Sequence, residues 1–281
     1  MKPDKLIVYK TTEDAKGKEV KLRLHVFEPA GHKASDRRAA IVLFFGGGWV
    51  GGSPGQFYPH CKYLASRGMV AMAAEYRVRK HHGTTPFECA ADGKSAVRYV
   101  RANAARLGID PGRIAAGGGS AGGHVAACTG TIAGLDEPGE DTAVSSRPDA
   151  MVLFNPVIDC SQKGYGHSRL KERYKEISPV DNVRKGVPPT ILFHGTADKT
   201  VPFANAQAFQ KAMKEAGNRC ELVPFEGAGH GFFNFGRGGG AAYAKCLHAA
   251  DEFLASLGWL KGKPTIQVPE GAGKDERRTS K

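Results

Sequence analysis

Residues 114–124 read "IAAGGGSAGGH", five glycines in eleven residues with one serine among them. Two chemistries use such a stretch. A glycine-rich turn at a helix start can cradle a phosphate on backbone N–H groups. A sharp strand-to-helix turn can instead lift a serine hydroxyl clear of a sheet as a nucleophile. Gly117, Gly119 and Gly122 satisfy G-x-G-x-x-G. A dinucleotide site also wants an acid about 20 residues on, at the end of the next strand. Here Asp136, Glu137, Glu140 and Asp141 fall in the turn-rich "LDEPGEDTAV", and the next strand-like run starts only near Ala150. The phosphate reading therefore lacks its context.

The same residues satisfy G-x-S-x-G at Gly118, Ser120 and Gly122. The pattern has a steric cause. The serine of such a turn has strained backbone angles, and side chains two residues to either side would collide. Alone the pattern is weak; it gains force when an acid and then a histidine follow at strand ends. "TILFHGTADKTVP" (190–202) places Asp198 just past a strand, and "CELVPFEGAGHGFFN" (220–234) places His230 just past the next, between Gly229 and Gly231. Both are carboxyl-end loops, where open α/β sheets build their sites. "FFGGGWVGGS" (44–53) follows the strand-like "AIVLFF" and supplies N–H groups for an oxyanion. Gly47, Gly48 and Ala121 are the expected donors.

Other residues compete for these roles. Asp159, after "LFNPVI", is a second loop acid. Asp181 in "SPVDN" reads as a helix cap. His194 lies in or at the end of a strand and reads as packed. His124, one helical turn after Ser120, reads as facing the helix packing.

Around the glycine turn, apolar runs recur at 5–10, 20–29, 39–45, 69–78, 113–117, 150–158, 190–195 and 220–225. The second alternates like a half-exposed antiparallel strand, and the later ones are continuously apolar, like parallel strands covered on both faces. Helix-like segments at 55–68, 85–108, 204–217 and 241–258 lie between them. The third helix ends in glycine, and the second opens on Thr84, Thr85 and Pro86, a cap followed by a first-turn proline. The pattern predicts an α/β fold: a mostly parallel sheet of about eight strands flanked by helices, with an antiparallel N-terminal edge. One domain is expected over 1–261, with 161–189 as a small insertion beside the site and 262–281 as a polar tail.

Composition bounds the partners. At 281 residues, with 41% hydrophobic and 24% charged residues, the chain can bury an ample core. No apolar run is long enough for a membrane span. The start "MKPDKLIVYK" lacks a signal-peptide core, which taken literally means the cytoplasm; a chain trimmed of its leader and then secreted would read the same. The formal charge is +12, yet the basic residues are dispersed rather than gathered on a basic and aromatic face, which argues against nucleic acid. A basic surface can still favour anionic polymeric substrates. Cys61, Cys89, Cys128, Cys160, Cys220 and Cys246 are far apart with no C-x-x-C, so they read as small buried hydrophobes rather than zinc ligands, with a disulfide left open. Oligomeric state is not legible.

Together "FGGGW" (45–49), "GGGSAGG" (117–123), "HGTADKTVP" (194–202) and "GAGHGF" (227–232) resemble the α/β-hydrolase superfamily. The chain is most similar, over about 20–258, to hormone-sensitive-lipase-like esterases and their short bacterial relatives. The resemblance implies a serine carboxylesterase with a Ser120, His230, Asp198 triad and no metal or cofactor. It implies short acyl esters, on small molecules or as acetyl or feruloyl groups on plant polysaccharides. A peptidase of the oligopeptidase kind, or a non-catalytic binding protein on this fold, is the alternative. Two departures stand out. The family usually shows H-G-G-G, where this chain has Phe45, which leaves the loop's support unexplained. Many relatives also carry a helical N-terminal cap; only two strands fit before Phe45, so the pocket should be open, roofed in part by 161–185. Trp49 would stack on a sugar or aromatic acyl group, or else pack beside the glycine loop. Phe57, Tyr165 and Phe232 are further wall candidates.

Overall fold

The computed structural model describes residues 1–269. Its centre is an eight-stranded sheet in the order β1-β2-β4-β3-β5-β6-β7-β8. The strands are β1 (Lys5–Glu13), β2 (Glu19–Phe27), β3 (Arg38–Phe44), β4 (Val70–Ala74), β5 (Ile109–Gly119), β6 (Ala150–Phe154), β7 (Thr190–Gly195) and β8 (Cys220–Phe225). β2 runs antiparallel to β1 and β4, and every other pairing is parallel. The expected antiparallel edge and mostly parallel body are both present.

The central strands form because their side chains are apolar on both faces. "AAIVLF" of β3 and "AMVLF" of β6 are wholly buried, as strands covered by helices must be. β4 and β6 stop earlier than their apolar runs suggest. After β4 the chain turns to bind polar partners: the Tyr76 hydroxyl donates to the Phe45 carbonyl (2.7 Å) and Arg77 N–H to Asp92 (2.9 Å). After β6, Asn155 takes φ 33° and leaves the sheet.

The helices are α1 (Tyr58–Ser66), α2 (Arg79–His82), α3 (Pro86–Ala102), α4 (Ala121–Thr131), α5 (His167–Leu170), α6 (Phe203–Glu215) and α7 (Ala241–Ser256). Thr85 caps α3 in a full capping box with Glu88, and Pro86 opens its first turn. The helix ends at Ala102, short of the expected Gly108, which closes a following turn. Asp251 of α7, fully buried, accepts from Tyr63 (2.6 Å) and Arg67 (2.5 Å) and so ties α7 to α1. The 161–189 segment holds α5 and short 3-10 turns at 171–176 and 179–182. Asp181 lies inside the second turn, whose cap position is Ser178, so it caps no helix. All six cysteines are buried and unbridged. No helix among the described residues is long and apolar enough to cross a membrane. Of the expected tail, residues 270–281 lie outside the described residues.

The acids at 136–141 have a structural use. Glu137 pairs with Lys10 (2.8 Å) and Arg77 (3.2 Å), while Asp136 and Glu140 pair with Arg98. Lys10 and Arg77, both buried, share the fully buried Asp92 at 2.6 and 2.8 Å. Removing one member of such a cluster strands the other charges without water. Asp92→Ala should therefore destabilise the fold by about 3–5 kcal/mol. Urea unfolding of variant and wild type checks this; a loss well under 1 kcal/mol would mean that the cluster is not effectively desolvated.

Candidate active site

β5 ends in Gly117–Gly118–Gly119 and α4 starts at Ala121, with Ser120 between them at φ 54°, ψ −120°. That conformation is strained for a residue with a side chain, costing on the order of 1–3 kcal/mol, and must be held by its surroundings. Ser120 N–H donates to the Phe154 carbonyl (3.0 Å), and the Ser120 carbonyl accepts from Val157 N–H (3.1 Å). The flanking glycines are required by space. A Cβ on Gly118 would stand 2.5 Å from both the Gly122 and Phe44 carbonyl oxygens, and one on Gly122 would stand 2.1 Å from that of Phe44. The steric reason for G-x-S-x-G is thus visible atom by atom.

The three predicted triad residues converge. Ser120 Oγ lies 2.9 Å from His230 Nε2, and His230 Nδ1 lies 2.7 Å from Asp198 Oδ2. A carboxylate only accepts, so Nδ1 carries the ring proton and Nε2 is left to accept from the serine hydroxyl. Asp198 is buried, whereas the His230 side chain keeps 23% exposure, open to a substrate from solvent. Asp198 Oδ1 also accepts from the N–H groups of Thr200 (2.8 Å) and Val201 (2.9 Å). Burial pushes the Asp198 carboxyl up, but His194, His230 and the Val201 N–H outweigh it and hold it well below the ordinary carboxylate range.

His194 is packed in its strand as expected, with Nε2 2.9 Å from the Val201 carbonyl, but it also reaches Asp198 Oδ2 at 3.4 Å. The carboxylate is therefore held between two imidazoles. Asn155 is a second residue that the sequence pattern did not reveal. Its Oδ1 accepts from Gly231 N–H (2.9 Å) and pins the histidine loop to the end of β6. Asp159 stays out of the triad: its oxygens accept from Ser161 N–H (2.8 Å) and Asn205 (3.2 Å) in a turn.

The glycine loop lies against the serine. A Cβ on Gly46 would stand 3.4 Å from Ser120 Cβ. The N–H groups of Gly47, Gly48 and Ala121 donate to no group among the described residues. Phe45 stacks on Tyr76 at 4.2 Å. Gly46 N–H donates to Gln56 Oε1 (2.6 Å), and Gln56 Nε2 donates to Asn234 Oδ1 (2.9 Å). A glutamine bridge and an aromatic stack thus support the loop that a histidine anchors in the resembling family.

Three of the expected wall residues are corrected. Trp49 is buried, its indole N–H donating to His124 Nδ1 (3.3 Å) and its ring packed on Tyr165 at 5.5 Å, so it offers no open face. Phe57 is fully buried and stacked on Phe233 at 5.7 Å. Phe232 is also buried, against Phe225 at 4.5 Å. Tyr165 is half-buried and remains at the site; its hydroxyl would stand 2.8 Å from a Cβ on Gly48. Tyr165 and Arg169 of the 161–189 segment lie against the glycine loop, where Arg169 Nη1 donates to the Gly48 carbonyl. Among the described residues, no group of three or more His, Cys, Asp or Glu side chains converges as a metal site.

The BD-FAE family model matches residues 24–164, and the dienelactone hydrolase family model matches 146–261. The apo form of Thermogutta terrifontis esterase 2 superposes with a TM-score of 0.87 at 54% identity, covering 92% of this chain and 96% of that one. Esterase LipC of Mycobacterium tuberculosis is 30% identical over 69% of this chain and 54% of its own length. The acetylxylan esterase of Xylanibacter ruminicola is 28% identical over 80% of this chain and 46% of its own. The chain spans about half the length of the curated relatives it matches.

Two tests follow from this geometry. Gln56→Ala should lower kcat about ten- to a hundredfold while leaving the melting temperature nearly unchanged, because it frees the oxyanion loop without opening the core. An unchanged kcat would remove Gln56 from loop support. The second test concerns buried imidazoles. Burial pushes His124 down to about 4, only partly offset by the Ile177 carbonyl, and His60 down to about 3. The folded state refuses protons that the unfolded chain binds below about pH 6.5. Stability is then full above that pH and falls as pH drops toward 4, by about 1.4 kcal/mol per pH unit for each ring. The slope should be shallower by that amount in His60→Leu; urea titrations across pH 4–7 read it, and identical slopes would refute the assignment.

Proposed function

We propose a function from one premise: the chain belongs to the BD-FAE family, and its fold is that of the α/β-hydrolase esterases. It is a serine carboxylesterase acting on short acyl esters. The observation that carries this reading is the hydrogen-bond chain Ser120–His230–Asp198 at the end of the strained turn.

Ser120 Oγ attacks the ester carbonyl as His230 Nε2 takes its proton. Asp198 keeps the imidazole in the right tautomer and stabilises its charged form. Negative charge gathers on the carbonyl oxygen, facing the N–H groups of Gly47, Gly48 and Ala121. Each such donor typically contributes about 3 kcal/mol to the barrier reduction. His230 then protonates the leaving alkoxide, and water, activated by the same ring, hydrolyses the acyl-enzyme. His194 acts through Asp198 by fixing its carboxylate and is a positioning residue. The domain is one unit over 1–261, with the 161–189 insertion roofing the oxyanion loop.

Short acyl groups suit a site whose nearest aromatic residues, Trp49, Phe57 and Phe232, are committed to the core. Thermogutta terrifontis Est2 has been solved with propionate and with butyrate bound, which supports the same size range here. The relative named acetylxylan esterase supports acetyl groups carried on a saccharide. A complete and hydrogen-bonded triad disfavours a purely binding role. An ester also needs less help from His230 than a peptide does, because an alkoxide leaves more readily than an amide anion.

A p-nitrophenyl panel from acetate to decanoate, with acetylated xylan and methyl ferulate alongside, tests the proposal. Wild type should turn over acetate to butyrate best, and Ser120→Ala should lose at least about 10⁴-fold in kcat/KM. Turnover unchanged in Ser120→Ala, or none on any ester, would overturn it.

A further inference from the structure

Two guanidinium groups stand at the rim of the site without a carboxylate partner. Arg169 is exposed yet in contact with the loop: its Nη1 donates to the Gly48 carbonyl, and its Cζ lies 5.8 Å from the Trp49 ring and 5.7 Å from that of Tyr165. Arg237 is exposed on the loop that follows the triad histidine. Its Nη1 lies 2.8 Å from where a Cβ on Gly231 would stand, so the cation rests on the backbone beside His230. One group therefore flanks the oxyanion loop and the other flanks the base.

Neither forms an ion pair among the described residues, whereas Arg77, Arg98 and Arg101 are all paired. The acids nearby are already committed. Asp198 is shared by two histidines and two backbone N–H groups, and Glu226 accepts from the Thr196 hydroxyl. Arg169 and Arg237 thus bring two cations, neither in an ion pair among the described residues, to the glycine loop and to the backbone beside His230. Between Asn234 and Arg237 the chain also displays Phe235, 59% exposed and edge-on to Tyr243 at 5.2 Å. An exposed aromatic ring beside an uncommitted guanidinium matches a substrate with an apolar ring face and a carboxylate.

We propose that Arg169 and Arg237 form a carboxylate-recognising rim, so that the preferred esters carry a fixed negative charge beside the scissile bond. This rests on the ester-hydrolase reading of the same site. The guanidinium fork pairs with a carboxylate through two parallel N–H donors, and its pull is felt on approach as well as in contact. The carboxylate has two sources, the free acid of a dicarboxylic half-ester or a uronate of an acidic saccharide.

The experiment compares kcat/KM for p-nitrophenyl hemisuccinate with p-nitrophenyl butyrate, and acetylated polygalacturonate with acetylated neutral mannan. Wild type, Arg237→Gln, Arg237→Glu and Arg169→Gln are run at about 0.02 and 0.3 M salt. Wild type should favour the anionic member of at least one pair, and the pair in which it does identifies the source. Arg237→Gln should lower the anionic-to-neutral ratio about tenfold, Arg237→Glu should lower it further, and high salt should compress it in wild type. Arg169→Gln should lower turnover of both esters, since it also releases the Gly48 carbonyl, but the anionic one more. A ratio unmoved by both Arg237 variants and by salt, with Ser120-dependent turnover of butyrate intact, would overturn the rim and leave the esterase standing. Failure of wild type on every ester would overturn the esterase reading itself.

Discussion

The structure depends on one strained residue. Ser120 sits at φ 54°, ψ −120°, and nothing in its own chemistry makes that conformation favourable. It persists because three strands meet there. β6 accepts its N–H at Phe154, and the chain leaving β6 donates to its carbonyl from Val157. β3 ends so close that only glycine fits at position 122. The parallel order β3-β5-β6 is what brings these groups together. A sheet with another strand order would leave the turn unsupported and the hydroxyl out of reach of His230.

The same sheet end sets the electrostatics. Asp198 and His230 follow β7 and β8, the next strands outward, so the order of residues in the chain becomes the order of the hydrogen-bond chain in space. A buried carboxylate costs several kcal/mol unless it is paired. Here two imidazoles and two backbone N–H groups meet that cost, and the group stays ionised in a place where burial alone would protonate it. An ionised Asp198 accepts from His230 Nδ1 and so fixes the tautomer of that ring. His194 Nε2, bonded to the Val201 carbonyl and 3.4 Å from Asp198 Oδ2, adds a second imidazole beside the carboxylate.

Much of this was legible in the sequence, for a physical reason. The strained turn excludes side chains at fixed spacing, so Gly118, Ser120 and Gly122 leave a local signature. The acid and base leave a weaker one, a polar residue at the end of an apolar run. His194, Asn155, Gln56 and Asn234 leave none. Each works through a partner distant in the chain, such as Gln56 with Asn234, and a lone amide between hydrophobic runs looks like any turn residue. Trp49 and Phe57 were ambiguous because an aromatic beside a glycine loop can face the substrate or the core, and sequence does not record which. Nothing in the sequence pairs Lys10 and Arg77 with Asp92; only the fold places both on it.

The loop at 45–49 shows how a lost anchor is replaced. An oxyanion donor must be fixed before the reaction, because turning a peptide group at the transition state would forfeit most of its electrostatic benefit. With phenylalanine at position 45, no side chain at the head of the loop can hold the backbone through a polar bond. Three contacts take up that task from outside: the Phe45–Tyr76 stack from below, the Gln56 amide at Gly46 N–H, and the Arg169 guanidinium at the Gly48 carbonyl. Two of the three lead to the rim. Gln56 is bonded to Asn234, on the stretch that leads to Phe235 and Arg237, and Arg169 belongs to the 161–189 segment that lies against the loop. Whatever settles on the rim therefore bears on the supports of the oxyanion loop. On the proposed reading, substrate binding at the rim and transition-state stabilisation at the loop would share the same few hydrogen bonds.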